Sequence, residues 1–92
     1  MIKIEHIGVW VHDLETMKAF FAKYFQTRAS ERYHNPRTGF SSYFLNFPDN
    51  AARLELCHRE DISKGLDESL GFAHLAISLG SKAAVDQLTA QL

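Results

Sequence analysis

His6 and His74 stand 68 positions apart, and each opens the same alternation of apolar residues. Ile7, Val9 and Val11 follow the first, and Leu75, Ile77 and Leu79 follow the second. Successive side chains of a strand point to opposite faces, so each histidine points away from its apolar triplet. Glu55 has the same relation to Leu54 and Leu56. With the apolar faces covered by helices, His6, Glu55 and His74 all look toward an open, concave side. They converge if the sheets curl toward each other. Neutral imidazole nitrogen and carboxylate oxygen are a ligand set for Zn²⁺, Ni²⁺, Fe²⁺ or Mn²⁺. A lone strand histidine is ordinarily a hydrogen-bonded or half-exposed group, and a glutamate between two leucines is ordinarily the solvent face of a strand. The shared face and the repeat-related positions are what point to a metal.

The elements that must position these residues follow from periodicity. Residues 2–11 alternate as a strand. Asp13 is a good helix N-cap, Glu15 falls in the first turn, and Leu14, Met17, Phe20, Phe21, Tyr24 and Phe25 recur at helical spacing, which predicts an amphipathic helix over 14–25. A short strand is expected at 28–33, turn chemistry at 35–39, a strand at 40–47, a turn at 48–50 and a strand at 52–58. Residues 59–71 are polar and charged and read as a linker. Residues 72–79 read as a strand, and Ser81 caps a helix whose stripe is Val85, Leu88 and Leu92.

Shifted by 68, the first strand and helix superpose on the second pair in pattern: Met17 falls on Val85, Phe20 on Leu88 and Tyr24 on Leu92. The expected class is therefore α+β, in a single domain. Residues 1–58 form a βαβββ module, and 72–92 form the βα start of a second, incomplete module whose exposed sheet edge invites pairing.

Of the other histidines, His12, His34 and His58 read as structural or surface groups. Cys57 shares the face of Glu55 and reads as a buried, inert thiol. Phe40, Tyr43, Phe44 and Phe47 read mainly as core, with Phe44 and Trp10 placed to line an apolar substrate pocket. Ten basic and eleven acidic residues give a net charge of −1, against a nucleic-acid binder that works by charge. A single cysteine excludes an internal disulfide framework and a cysteine-rich zinc module. No apolar run reaches the ~18 residues of a membrane span and no signal-peptide pattern opens the chain, so a cytoplasmic protein is expected.

The chain resembles the vicinal oxygen chelate superfamily, the glyoxalase/bleomycin-resistance/dioxygenase group. The resemblance rests on residues 5–11 (EHIGVWV) followed by Asp13-Leu14 and an aromatic helix, on Phe44-Leu45 leading to Arg53-Leu54-Glu55-Leu56, and on residues 71–77 (GFAHLAI). It implies a site built from two βαβββ modules. His6, Glu55 and His74 match metal-ligand positions of glyoxalase I-like members. A fourth ligand, usually Glu, would come from the last strand of the second module and falls beyond Leu92. The implied activity is that of a metal-dependent lyase or isomerase, similar to lactoylglutathione lyase, acting on a small substrate with neighbouring oxygens. Glu55 or the fourth carboxylate would move the proton. Two alternatives stand beside it: an extradiol Fe²⁺ dioxygenase, which uses two histidines and one carboxylate, and a metal-free small-molecule binding protein of the bleomycin-resistance kind. A chain with its site incomplete would be inactive by itself. A homodimer is the expected partner state, because family modules pair between chains.

Overall fold

Alternating apolar residues in three segments build the sheet, and one amphipathic helix covers it. The computed structural model of the chain describes residues 1–63, 71–72 and 74–92. In chain order these form β1 (His6–Trp10), α1 (Leu14–Phe25), β2 (Arg28–Ala29), β3 (Tyr33–His34), β4 (Ser41–Asn46), β5 (Arg53–His58) and α2 (Lys82–Gln91). The sheet is mixed, with order β1-β5-β4-β2 and β3 paired to β4. β1 and β5 are parallel; the other pairs are antiparallel. The α+β class is as expected.

Leu45, Leu54, Leu56 and Tyr43 point from the sheet to one side and meet Leu14 and Phe21 of α1 there. The helix begins where Asp13 accepts a hydrogen bond from the backbone N–H of Thr16 at 3.0 Å. It ends at Gln26 in a left-handed conformation, whose N–H closes on the carbonyl of Phe21. Its bounds match the expected 14–25.

β1 is shorter than residues 2–11. Among the described residues its one ladder partner is β5, which starts at Arg53, and the bond from the N–H of Arg53 to the carbonyl of Glu5 is the last between them on that side. Ile2 and Ile4, with no ladder partner among the described residues, stay exposed. The expected strand at 28–33 is split in two. Between the pairs Ala29–Leu45 and Tyr33–Ser42, three residues of one strand oppose two of the other, which is a bulge. The Ser30 hydroxyl accepts from the N–H of Phe44 at 3.0 Å where the ladder is interrupted.

The strand expected over 72–79 is a correction. None of the described residues of that segment is in a strand, and none of them has a ladder partner. A strand exists only through its ladder, and residues 74–79 instead lie over the helix-side face of the sheet, with Ile77 packed against the core. Residue 73 of that segment, and 64–70 of the expected linker, lie outside the described residues. α2 starts as expected, with the Ser81 hydroxyl accepting from the N–H of Ala84 at 3.1 Å. Of its predicted stripe only Leu88 is partly covered; Val85 and Leu92 are exposed. No helix among the described residues is long and apolar enough to cross a membrane.

Candidate metal centre

The parallel pairing of β1 with β5 decides which side chains meet. His6 lies beside Arg53, Gly8 beside Glu55 and Trp10 beside Cys57. Antiparallel β4 adds Phe44 beside Glu55 and Ser42 beside Cys57. All of these point away from the α1 side, because their neighbours Ile7, Val9, Leu54, Leu56, Tyr43 and Leu45 make the core.

On this open face the Nε2 of His6 stands 3.7 Å from the Oε1 of Glu55. That is too long for a hydrogen bond, so each group keeps free lone-pair capacity toward the other. The His6 side chain is 40% exposed and that of Glu55 17%, so the pair is reachable from solvent yet partly sheltered. Gly8 lies against it. A Cβ there would come to 3.7 Å from Oε1 of Glu55 and 3.6 Å from Sγ of Cys57, so the missing side chain leaves a cradle beside the carboxylate.

The second nitrogen of His6 is held from behind. Its Nδ1 is 2.9 Å from Oε1 of Glu5, and Glu5 is gripped by Arg53, whose Nε donates to Oε2 at 2.8 Å and whose terminal nitrogen donates to Oε1. Those bonds, Arg53 first and His6 second, hold the Glu5 carboxyl down at about 2. The Arg53 guanidinium lies over the Phe44 ring, 4.2 Å from its centroid, and that ring meets His6 edge-on at 5.0 Å. Cys57 is buried. Burial first, then the neighbouring Glu55 charge, pushes its thiol up to about 11. It is a poor nucleophile and a poor ligand at neutral pH.

Farther along the same strands is an aromatic wall. Trp10 meets Phe40 edge-on at 6.0 Å, Phe40 meets Tyr33 at 6.1 Å, and the Arg59 guanidinium is 5.4 Å from the Trp10 ring. Trp10 and Tyr33 are each about half exposed.

His74 is elsewhere. It lines a small cavity with Ile7, Val9, Phe72 and Leu75, on the helix side of β1. A larger cavity of about 890 Å³ lies on that side too, bounded by Phe25, Leu54, Ile77 and Leu88 among others, and contains neither His6 nor Glu55. The structure therefore brings His6 and Glu55 together and leaves His74 across the sheet from them. Among the described residues no three His, Cys, Asp or Glu side chains converge as a metal site. The donors present, one imidazole nitrogen and one carboxylate oxygen beside an open cradle, fit a divalent cation as two of its ligands. Periodicity found both. It missed Glu5 and Arg53, although Arg53 shares the strand face of Glu55 and Glu5 adjoins His6 in the chain.

The profile of the glyoxalase/bleomycin resistance protein/dioxygenase superfamily matches residues 5–91. No curated protein matches the chain in sequence. Two solved structures share its fold. One is a mutant of the genomically encoded fosfomycin resistance protein FosX from Listeria monocytogenes, in complex with Mn(II) and 1S,2S-dihydroxypropylphosphonic acid. It is 17% identical with a TM-score of 0.74, over 99% of this chain and 68% of that one. The other is a glyoxylase/bleomycin resistance protein/dioxygenase domain from Frankia sp. EAN1pec, 17% identical with a TM-score of 0.80, over 99% of this chain and 71% of that one. With a profile that spans nearly the whole chain, the chain belongs to the glyoxalase/bleomycin resistance protein/dioxygenase superfamily.

Proposed function

We propose that the protein is a glyoxalase I-like, divalent-metal-dependent lyase or isomerase acting on a small substrate with neighbouring oxygens. The observation that carries this reading is the facing pair of His6 Nε2 and Glu55 Oε1 beside the Gly8 cradle. The Mn(II) bound by FosX supports a divalent cation in this fold. His6 and Glu55 would hold the metal, with His74 as a third ligand. A metal bound there supplies Lewis-acid stabilisation of negative charge that develops on the substrate oxygens in the transition state. Glu55 would take a proton from the substrate carbon beside one of those oxygens and return it to the neighbouring carbon: it is a carboxylate on the open face, partly sheltered from water and, among the described residues, without a hydrogen-bond donor at its Oε1. Phe44 and Trp10 form the apolar side of the substrate pocket. His74 reaches this centre only when residues 74–79 leave the helix-side face of β1 and pair as a strand. We assign that pairing to a second copy of the chain.

A second reading has its own observation. The aromatic wall of Trp10, Phe40 and Tyr33, with Arg59 at its rim, and the position of His74 against Ile7 and Val9 favour a metal-free binding protein for a small molecule. Metal content per chain separates the two. After reconstitution with Zn²⁺, Ni²⁺, Fe²⁺ or Mn²⁺, the enzyme reading expects near-stoichiometric metal that is lost in His6→Ala, Glu55→Gln and His74→Ala. Retention in His74→Ala alone removes His74 from the ligand set. No metal in the unaltered protein leaves the binding reading. Oxygen uptake with a catechol by the Fe²⁺ form would replace the lyase with a dioxygenase.

A further inference from the structure

We propose that Glu5, clamped by Arg53, is a positioning residue that sets the tautomer and orientation of His6, so that Nδ1 carries the proton and the Nε2 lone pair faces Glu55. The proposal deepens the reading of His6 as a metal ligand and rests on it for its functional consequence.

The geometry leaves one assignment. An ionised carboxylate only accepts hydrogen bonds, so the 2.9 Å contact between Nδ1 and Glu5 Oε1 requires a proton on Nδ1. In the neutral ring Nε2 is then the lone-pair nitrogen, and it is the one that looks toward Glu55 at 3.7 Å. Glu5 lies just outside β1 and would swing freely without a second anchor. Arg53 provides it with two donors in a fork, one to each carboxylate oxygen. Arg53 is held in turn by its place beside His6 in the β1–β5 register and by the Phe44 face. Phe44 closes the ring of contacts by meeting His6 edge-on. Each member is thus fixed by two others.

A purely structural role explains this less well. The Glu5 side chain is 58% exposed, and ion pairs this open to water add little to stability. A carboxylate behind an imidazole is, however, the device that orients ligand histidines in metal sites. Removing such a partner typically weakens metal binding about 10–100-fold.

The test is ¹⁵N NMR of the imidazole groups in metal-free protein at about pH 8.5, above the ordinary imidazole range, together with Zn²⁺ affinity by competition with a chromophoric chelator. His6→Gln identifies the His6 signals. In the unaltered protein they should report the Nδ1–H form. In Glu5→Ala they should move toward a mixture of tautomers, with Zn²⁺ affinity falling about 10–100-fold. Glu5→Gln, whose amide oxygen can still accept from Nδ1, should restore part of both, and Arg53→Gln should lie between. Thermal unfolding should stay close to that of the unaltered protein. An unchanged tautomer in Glu5→Ala overturns the proposal, and so does a changed tautomer with unchanged Zn²⁺ affinity. If the tautomer changes but the unaltered protein binds no Zn²⁺, Glu5 still positions His6 and it is the metal reading that fails.

Discussion

His58, at the end of β5, is bonded at both ring nitrogens. Nδ1 is 3.0 Å from the carbonyl oxygen of Val11, and Nε2 is 3.1 Å from Oε1 of Glu60. Both partners are acceptors, so both nitrogens must donate, which only the imidazolium can do. These bonds, the carbonyl first, raise the His58 pKa above its ordinary value. The stabilisation is fully present below the unfolded-state imidazole value of ~6.5 and is lost as pH rises through the higher folded value. Urea midpoints should therefore decline as pH rises from about 6 to above the folded value, and His58→Gln should flatten that decline. A slope identical in the two proteins would remove His58 as its source. At this scale, strand parity alone placed His6 and Glu55 on one face, because alternation is a property of the backbone. The role of His58 depends on which carbonyl follows β1, and that of Glu5 on the register of β1 against β5. Neither register is written in local spacing.

The elements differ in how much of them is local. The bounds of α1 were legible because a cap, an acidic first turn and a stripe of apolar residues all lie within one stretch of chain. Asp13→Ala should lower unfolding free energy by about 1 kcal/mol, the usual worth of an N-cap. Leu56→Ala should cost more, about 2–5 kcal/mol, because Leu56 is fully buried between α1 and the central strands and its removal leaves a cavity. Equilibrium urea unfolding of both variants checks the order; a larger loss for Asp13→Ala would mean that helix nucleation outweighs packing here. The bulge between β2 and β3 was not legible, since it comes from fitting residues 28–34 to a partner strand seven to eighteen positions away. The strand expected at 72–79 failed for the same reason. Its alternation is real, but none of its described residues has a ladder partner.

At the scale of the whole molecule, apolar surface and open backbone lie together. Among the described residues β1 is a sheet edge, Ile4 is exposed beside it, and Phe72 and Leu75 are exposed at 89% and 49%. An edge with apolar residues around it invites pairing with another chain. If a second copy takes up residues 72–79, sedimentation equilibrium should give twice 10.5 kDa, and Phe72→Asp together with Leu75→Asp should return the protein to one chain. The same double variant should lose metal if His74 reaches the site only through that pairing. A single-chain mass in the unaltered protein at all concentrations would overturn the dimer.

By itself the sequence determined the α+β class, the helix 14–25, the three long strand regions of the first module and the common face of His6 and Glu55. These follow from side-chain periodicity, which each segment carries whatever it packs against. Tertiary structure alone decided that Gly8 opens a cradle beside Glu55, that Arg53 and Glu5 stand behind His6, and that His74 lies on the opposite side of β1. Those facts depend on contacts between segments 47 to 67 residues apart in the chain, and a backbone hydrogen bond forms with whichever partner the fold presents.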